Sequence, residues 1–159
     1  MAQNLYECSI QSTSIAPGGT YSITFTTGPT HCIFLDRLVG FNGVASRANV
    51  YRTPVVTGGT THPFFAIDTA NGIPSVSSFL KGVTVTDVGT QVGATSYYRG
   101  SAAIGNGVIG TYGNQRGRRR LAPFTTYMLQ FINDDIAAQT FDVYFRWYEG
   151  PMQYPGGVL

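Results

Sequence analysis

A chain of 159 residues, 43% hydrophobic and only 11% charged, is long enough to bury a self-sufficient core and too apolar to be disordered. A formal net charge of +2 excludes the broad basic field of a nucleic-acid-binding domain, and no apolar run is long enough to cross a membrane as a helix. Twenty glycines, frequent threonine and 13% aromatic residues suit a sheet protein with many tight turns. Cys8 and Cys32 are the two cysteines, and the start MAQNLYECS has no signal-peptide pattern. Free thiols in a protein made and folded in a cytoplasm are therefore expected.

In chain order, residues 5 to 15 (LYECSIQSTSI) alternate loosely and predict a first strand, closed by a turn at Pro17-Gly18-Gly19. Tyr21, Ile23 and Phe25 alternate with Ser22, Thr24 and Thr26, giving a second strand with one polar face that Gly28-Pro29 ends. Residues 31 to 41 (HCIFLDRLVGF) are denser in apolar side chains. A short central strand is the first reading there and a helical turn the second, because Ile33, Phe34 and Leu38 also fit helical spacing. Residues 47 to 56 (RANVYRTPVV) predict a strand that Pro54 interrupts, at a sheet edge or bulged. Gly58-Gly59 and Asn71-Gly72 are turns, and Phe64 and Phe65 carry an aromatic pair into a core or an interface. Val83 and Val85 alternate with Thr84 and Thr86 in a further strand. From Gly89 to Gly117 the glycine-rich chain reads as short strands and turns, anchored by Tyr97, Tyr98, Ile104, Val108, Ile109 and Tyr112.

The clearest signal is the stretch from 124 to 149. Phe141, Val143, Phe145 and Trp147 share one face of a strand, with Asp142, Tyr144, Arg146 and Tyr148 on the other. Upstream, Tyr127, Leu129 and Phe131 oppose Met128, Gln130 and Ile132, and Asn133-Asp134-Asp135 separates the two runs, so a hairpin is predicted. With about eight to ten short strands and no convincing helix, the pattern predicts one all-β domain over residues 1–149, a β-sandwich or a barrel. Residues 150–159 (GPMQYPGGVL) form a Pro/Gly-rich C-terminal arm that cannot continue the last strand.

Three motif candidates fail on context. Gly105-Asn106-Gly107-Val108-Ile109-Gly110 matches a dinucleotide fingerprint, but TYGNQRGRRR follows it instead of an amphipathic helix. Cys8, His31, Cys32 and His62 lack the paired spacing of a zinc site, and adjacent His31 and Cys32 would point to opposite faces of a strand. Asp134-Asp135 is the one acidic pair and sits at a turn, where aspartate is ordinary; no serine lies in a nucleophile elbow. No enzyme, metal or cofactor is expected.

Arg116, Arg118, Arg119 and Arg120 place four positive charges within five residues, and the rest of the chain is slightly acidic. Such a run cannot be buried unpaired. Its plain reading is a solvated loop. Its functional reading is a loop that docks on an acidic protein surface through arginine–carboxylate pairs, with nucleic-acid phosphate the weaker alternative. Tyr148, Met152 and Tyr154 are residue types that interfaces favour, and with the low surface charge they predict a homo-oligomer, trimer or dimer.

The segment from Leu121 to Glu149 resembles the C-terminal signature of small structural proteins of tailed bacteriophages. Leu121, Pro123, Thr126, Tyr127, Leu129, Phe131 and Asn133 match its first strand, and Trp147, Tyr148 and Glu149 its closing aromatic-Tyr-Glu triplet. The glycine-rich stretch before the arginine-containing loop also resembles that group, and together the two cover about a third of the chain. The resemblance implies a β-sandwich of jelly-roll type and no catalytic residue. It further implies a virion structural protein on the capsid surface that decorates or cements the shell by binding the major capsid protein. The alternative is a carbohydrate- or receptor-binding module of a tail fibre, using Tyr97 and Tyr98. The density of RGRRR and the Pro/Gly tail depart from the group's pattern.

Overall fold

A computed structural model describes residues 4–67, 74–99 and 119–150. Every regular element among them is a strand: β1 (Leu5–Gln11), β2 (Thr20–Thr26), β3 (Cys32–Phe41), β4 (Ala45–Arg52), β5 (Val55–Thr57), β6 (Thr60–His62), β7 (Phe65–Ala66), β8 (Ser78–Lys81), β9 (Thr84–Asp87), β10 (Thr90–Gln91), β11 (Ser96–Arg99), β12 (Arg119–Leu121), β13 (Thr126–Asn133) and β14 (Phe141–Glu149). The chain is all-β. A five-stranded sheet runs β12-β3-β14-β1-β7, a second runs β10-β4-β13-β2-β8-β6 with β11 also on β4, and β5 pairs with β9 in a separate ribbon. All the pairings are antiparallel. The Asn71-Gly72 turn, the Gly105–Gly110 motif, Ile104, Tyr112 and the expected C-terminal arm beyond Gly150 lie outside the described residues.

The predicted hairpin is not one. β13 and β14 belong to different sheets: β13 lies between β2 and β4, and β14 between β1 and β3. The segment from Asp134 to Thr140 is therefore an arch across the sandwich. It lets the apolar faces of both strands meet head-on, and Phe131 stacks on Phe141 at 4.8 Å. Asn133 pins the arch. Fully buried, it donates to the carbonyls of Ile15 and Ala137, both at 2.8 Å, and accepts from the Asp135 amide at 2.8 Å and from Gln139. Gln139 also donates to the Ala45 carbonyl at 2.9 Å, tying the arch to β4.

Residues 31 to 41 resolve in favour of a strand, bulged where the register with β14 shifts between Arg146 and Trp147. The edge expectation for residues 47 to 56 is corrected: β4 is flanked on both sides, by β13 and by β10 and β11. The ladder tolerates Pro54 because β4 stops at Arg52, and Thr53 turns the chain with a φ of 54° before β5 begins. The aromatic pair divides by alternation. Phe64 packs on Trp147 and Tyr6 inside the sandwich, while Phe65 is 67% exposed.

Trp147, fully buried, is the hub of the core. Its ring lies within 5.3–6.1 Å of Phe79, Phe64, Tyr6, Phe25 and Phe34, rings contributed by both sheets. The polar face of β2 is buried too: Ser22 accepts from Gln130 of β13 at 3.4 Å.

Cys8 and Cys32 are buried and unbridged. Burial pushes the Cys8 thiol up to about 12 and the Cys32 thiol up to about 11, the latter against the opposing hydrogen bond with Ser77. Both should stay protonated and unreactive at neutral pH. Thiol labelling of the native protein at neutral pH is expected to modify neither, and labelling in denaturant both. Intact mass without reductant should show no loss of two hydrogens; that loss would contradict the expectation.

Candidate functional site

The arginine run does not act as one patch where the structure describes it. Arg119 and Arg120 are exposed and lie in the short edge strand β12, not in a loop. Strand alternation sends them to opposite faces. Arg119 registers with Phe34 and Arg120 with Ile33, while Leu121 registers with Cys32. Phe34 and Cys32 face the core, so Arg119 leans toward the mouth of the sandwich and Arg120 toward its outside.

At that mouth Arg37 also occupies an inward register position, opposite Phe145, and donates to Ser96 of β11 at 3.3 Å. Arg119 lies against Gly93, where a Cβ would come within 2.6 Å of its guanidinium. A small apolar cavity of about 100 Å³, lined by Phe25, Phe34 and Leu129 among others, opens between these two arginines. Arg37 and Arg119 thus lay their long stems across the open side of the sandwich, beside this cavity.

Arg120 has a different setting. Register places Arg120, Ile33, Tyr148 and Leu5 in one row across β12, β3, β14 and β1. This row lies on the outer face of the five-stranded sheet, because Trp147 and the alternate residues of β14 fill the core. Two of the sequence-predicted interface residues, Arg120 and Tyr148, therefore share a face, about 10 Å apart at two strand spacings. Tyr144 extends the face and donates to Glu7 at 2.6 Å, and Leu38, 37% exposed, adds apolar area. Ile33 and Leu5 are residues the sequence reading missed; only their register with Arg120 and Tyr148 reveals them. Arg119 and Arg120 make no ion pair among the described residues. Arg116, Arg118, Met152 and Tyr154 lie outside the described residues.

The aromatic pair offered for carbohydrate binding is also split. Tyr97 is 65% exposed, but Tyr98 is buried and packs on Phe41 at 6.0 Å. A stacking platform built from both rings is therefore excluded by alternation along β11.

Near the end of β14, Glu149 is buried and accepts from Ser75 Oγ at 2.5 Å, Trp147 Nε1 at 3.0 Å and the Val76 amide at 3.2 Å. Burial, then the charge of Glu149, raises the Tyr6 phenol above its ordinary range. With Cys32 held as a thiol at neutral pH, this group ties the segment at Ser75 and Val76 to the end of β14. His31 and His62 bond backbone carbonyls: His31 Nδ1 lies 3.3 Å from the Leu121 oxygen and His62 Nε2 2.8 Å from the Ser9 oxygen. Among the described residues no three His, Cys, Asp or Glu side chains gather as a metal site. No protein-family model and no curated protein sequence matches the chain.

Proposed function

We propose that this chain is a virion structural protein that decorates or cements a phage capsid shell, docking on the major capsid protein through the outer face of its five-stranded sheet. The observation that carries the docking face is the row Arg120, Ile33, Tyr148 and Leu5, which joins a cation without an ion-pair partner among the described residues to aromatic and aliphatic side chains. Arginine and tyrosine beside apolar neighbours are the composition of binding hot spots. The phage assignment rests on the likeness of the Leu121–Glu149 segment. The mechanism is mass action: a protein that binds only the assembled shell stabilises it, and the effect multiplies over many copies. Self-association as a trimer or dimer belongs to the same proposal, and sedimentation showing only monomer at high concentration, free and on the shell, would count against it.

Co-sedimentation with shells that lack the protein tests the docking. Replacing Arg116, Arg118, Arg119 and Arg120 by serine should leave the fold intact, weaken binding and flatten its salt dependence. Exposed pairs are worth only about 0.2–1 kcal/mol each, so the loss should appear mainly in association rate. A quadruple variant that binds shells normally but loses nucleic-acid binding would replace the docking reading with the phosphate one.

A further inference from the structure

The two sheets do not fill the space between them evenly. Around Trp147 the core is closed, but toward the β12 edge an apolar cavity of about 100 Å³ remains. Its walls come from the facing sides of both sheets. Ile23, Leu129 and Val50 stand opposite one another across β2, β13 and β4. Phe34 and Phe145 face them from the five-stranded sheet: Phe34 registers with the buried Trp147, and Phe145 is itself buried. Phe34 and Val50 occupy inward positions yet are only half-buried, so apolar surface is left without packing partners here.

The same register turns two arginines to this cavity. Arg119 stands opposite Phe34 and Arg37 opposite Phe145, so both occupy inward positions. Both lean across to residues 93–96 on the other sheet. Arg37 donates to Ser96 Oγ at 3.3 Å, and the Arg119 guanidinium lies where a Cβ at Gly93 would come within 2.6 Å of it. Those two points are three residues apart, at most about 11 Å of chain. Two like charges are thus held close together. Arg119 makes no ion pair among the described residues, and no carboxylate lines the cavity among them. The Tyr127 hydroxyl, also on the wall, accepts from the Ala122 amide at 2.9 Å. An anion between the guanidinium groups relieves their repulsion, and a carboxylate matches the guanidinium fork at two points. The volume is below the roughly 150 Å³ that holds a benzene ring, so it suits a short aliphatic chain better than an aromatic one.

We propose that this cavity binds a short aliphatic carboxylate, with the chain between the two sheets and the carboxylate at Arg37 and Arg119. The site shares no side chain with the outer row of Arg120, Ile33, Tyr148 and Leu5, and it is tested on the isolated chain, apart from any shell.

The test is titration of the isotope-labelled full chain with hexanoate, followed by amide chemical shifts, with acetate and hexanol in parallel. Hexanoate should move the amides of Phe34, Arg37, Val50, Arg119 and Leu129, which line the cavity. Each buried methylene is worth about fourfold in affinity, so acetate, which has none, should bind roughly tenfold or more weakly. Hexanol keeps the chain and loses the charge; it should also bind about tenfold more weakly, the value of one charge-assisted hydrogen bond. Arg119→Gln removes an exposed charge at a sheet edge. It should lose about tenfold for hexanoate and nothing for hexanol, with circular dichroism confirming an unchanged fold. Val50→Phe fills the cavity and leaves both charges, so it should abolish binding of hexanoate and hexanol alike. Acetate as tight as hexanoate would mean an anion site without a pocket, and hexanol as tight as hexanoate a pocket without an anion site; either overturns the proposal. So would shifts spread away from the cavity, undiminished hexanoate binding by a folded Arg119→Gln, or an absence of shifts at millimolar hexanoate.

Discussion

Trp147→Ala is expected to lower the stability of the protein by about 3–5 kcal/mol. The ring is fully buried and touches five others, on strands of both sheets and on the segment that joins β6 to β7. Its removal deletes apolar area and leaves a cavity that five rigid rings cannot collapse into. It also takes from Glu149 the Nε1 donor at 3.0 Å, leaving a buried carboxylate with one fewer partner. Trp147→Phe should fall between, keeping most of the packing and losing the donor. Urea denaturation reads the effect as a shift in midpoint. An unchanged midpoint for the alanine variant would show that the ring does not hold the two sheets together.

Asn133→Ala is expected to cost about 2–4 kcal/mol, which is large for so small a side chain. The reason is the number of groups it satisfies in a dry place: two carbonyls, one amide and the Gln139 side chain. Alanine would leave these unpaired at the point where the chain crosses from one sheet to the other. Asn133→Asp keeps the acceptor oxygen but loses both donated bonds and buries a charge, so it should be worse at neutral pH and should recover as pH falls and the acid protonates. Hydrogen exchange gives a second readout: the amide of Asp135, which donates to Asn133, should exchange faster in the alanine variant. Equal exchange and an unchanged midpoint would mean that the arch is held by its flanking strands alone.

The two predictions mark where the sequence could and could not be read. Which residues of β13 and β14 face the core was legible, because alternation is local: Phe141, Val143, Phe145 and Trp147 are all buried. The pairing was not legible. A hairpin and an arch bury the same side chains, and Asn133-Asp134-Asp135 suits either turn. What decides is remote, since β13 pairs with β2 about a hundred residues earlier and β14 pairs with β1 and β3. The same alternation, applied to Arg119-Arg120 and to Tyr97-Tyr98, would have split each pair between two faces. It was obscured because a charge run and a tyrosine pair read as units when no strand is assigned to them. The row Arg120, Ile33, Tyr148 and Leu5 draws on four distant segments, and no spacing in the chain announces it.

The most direct test of the proposed docking face is an electron-microscopy map of shells assembled with this protein. The expected result is sandwich density on every face of the shell, with Arg120 and Tyr148 against the major capsid protein. Density confined to the tail, or a sandwich bound to the shell with the outer face of the five-stranded sheet turned to solvent, would contradict it.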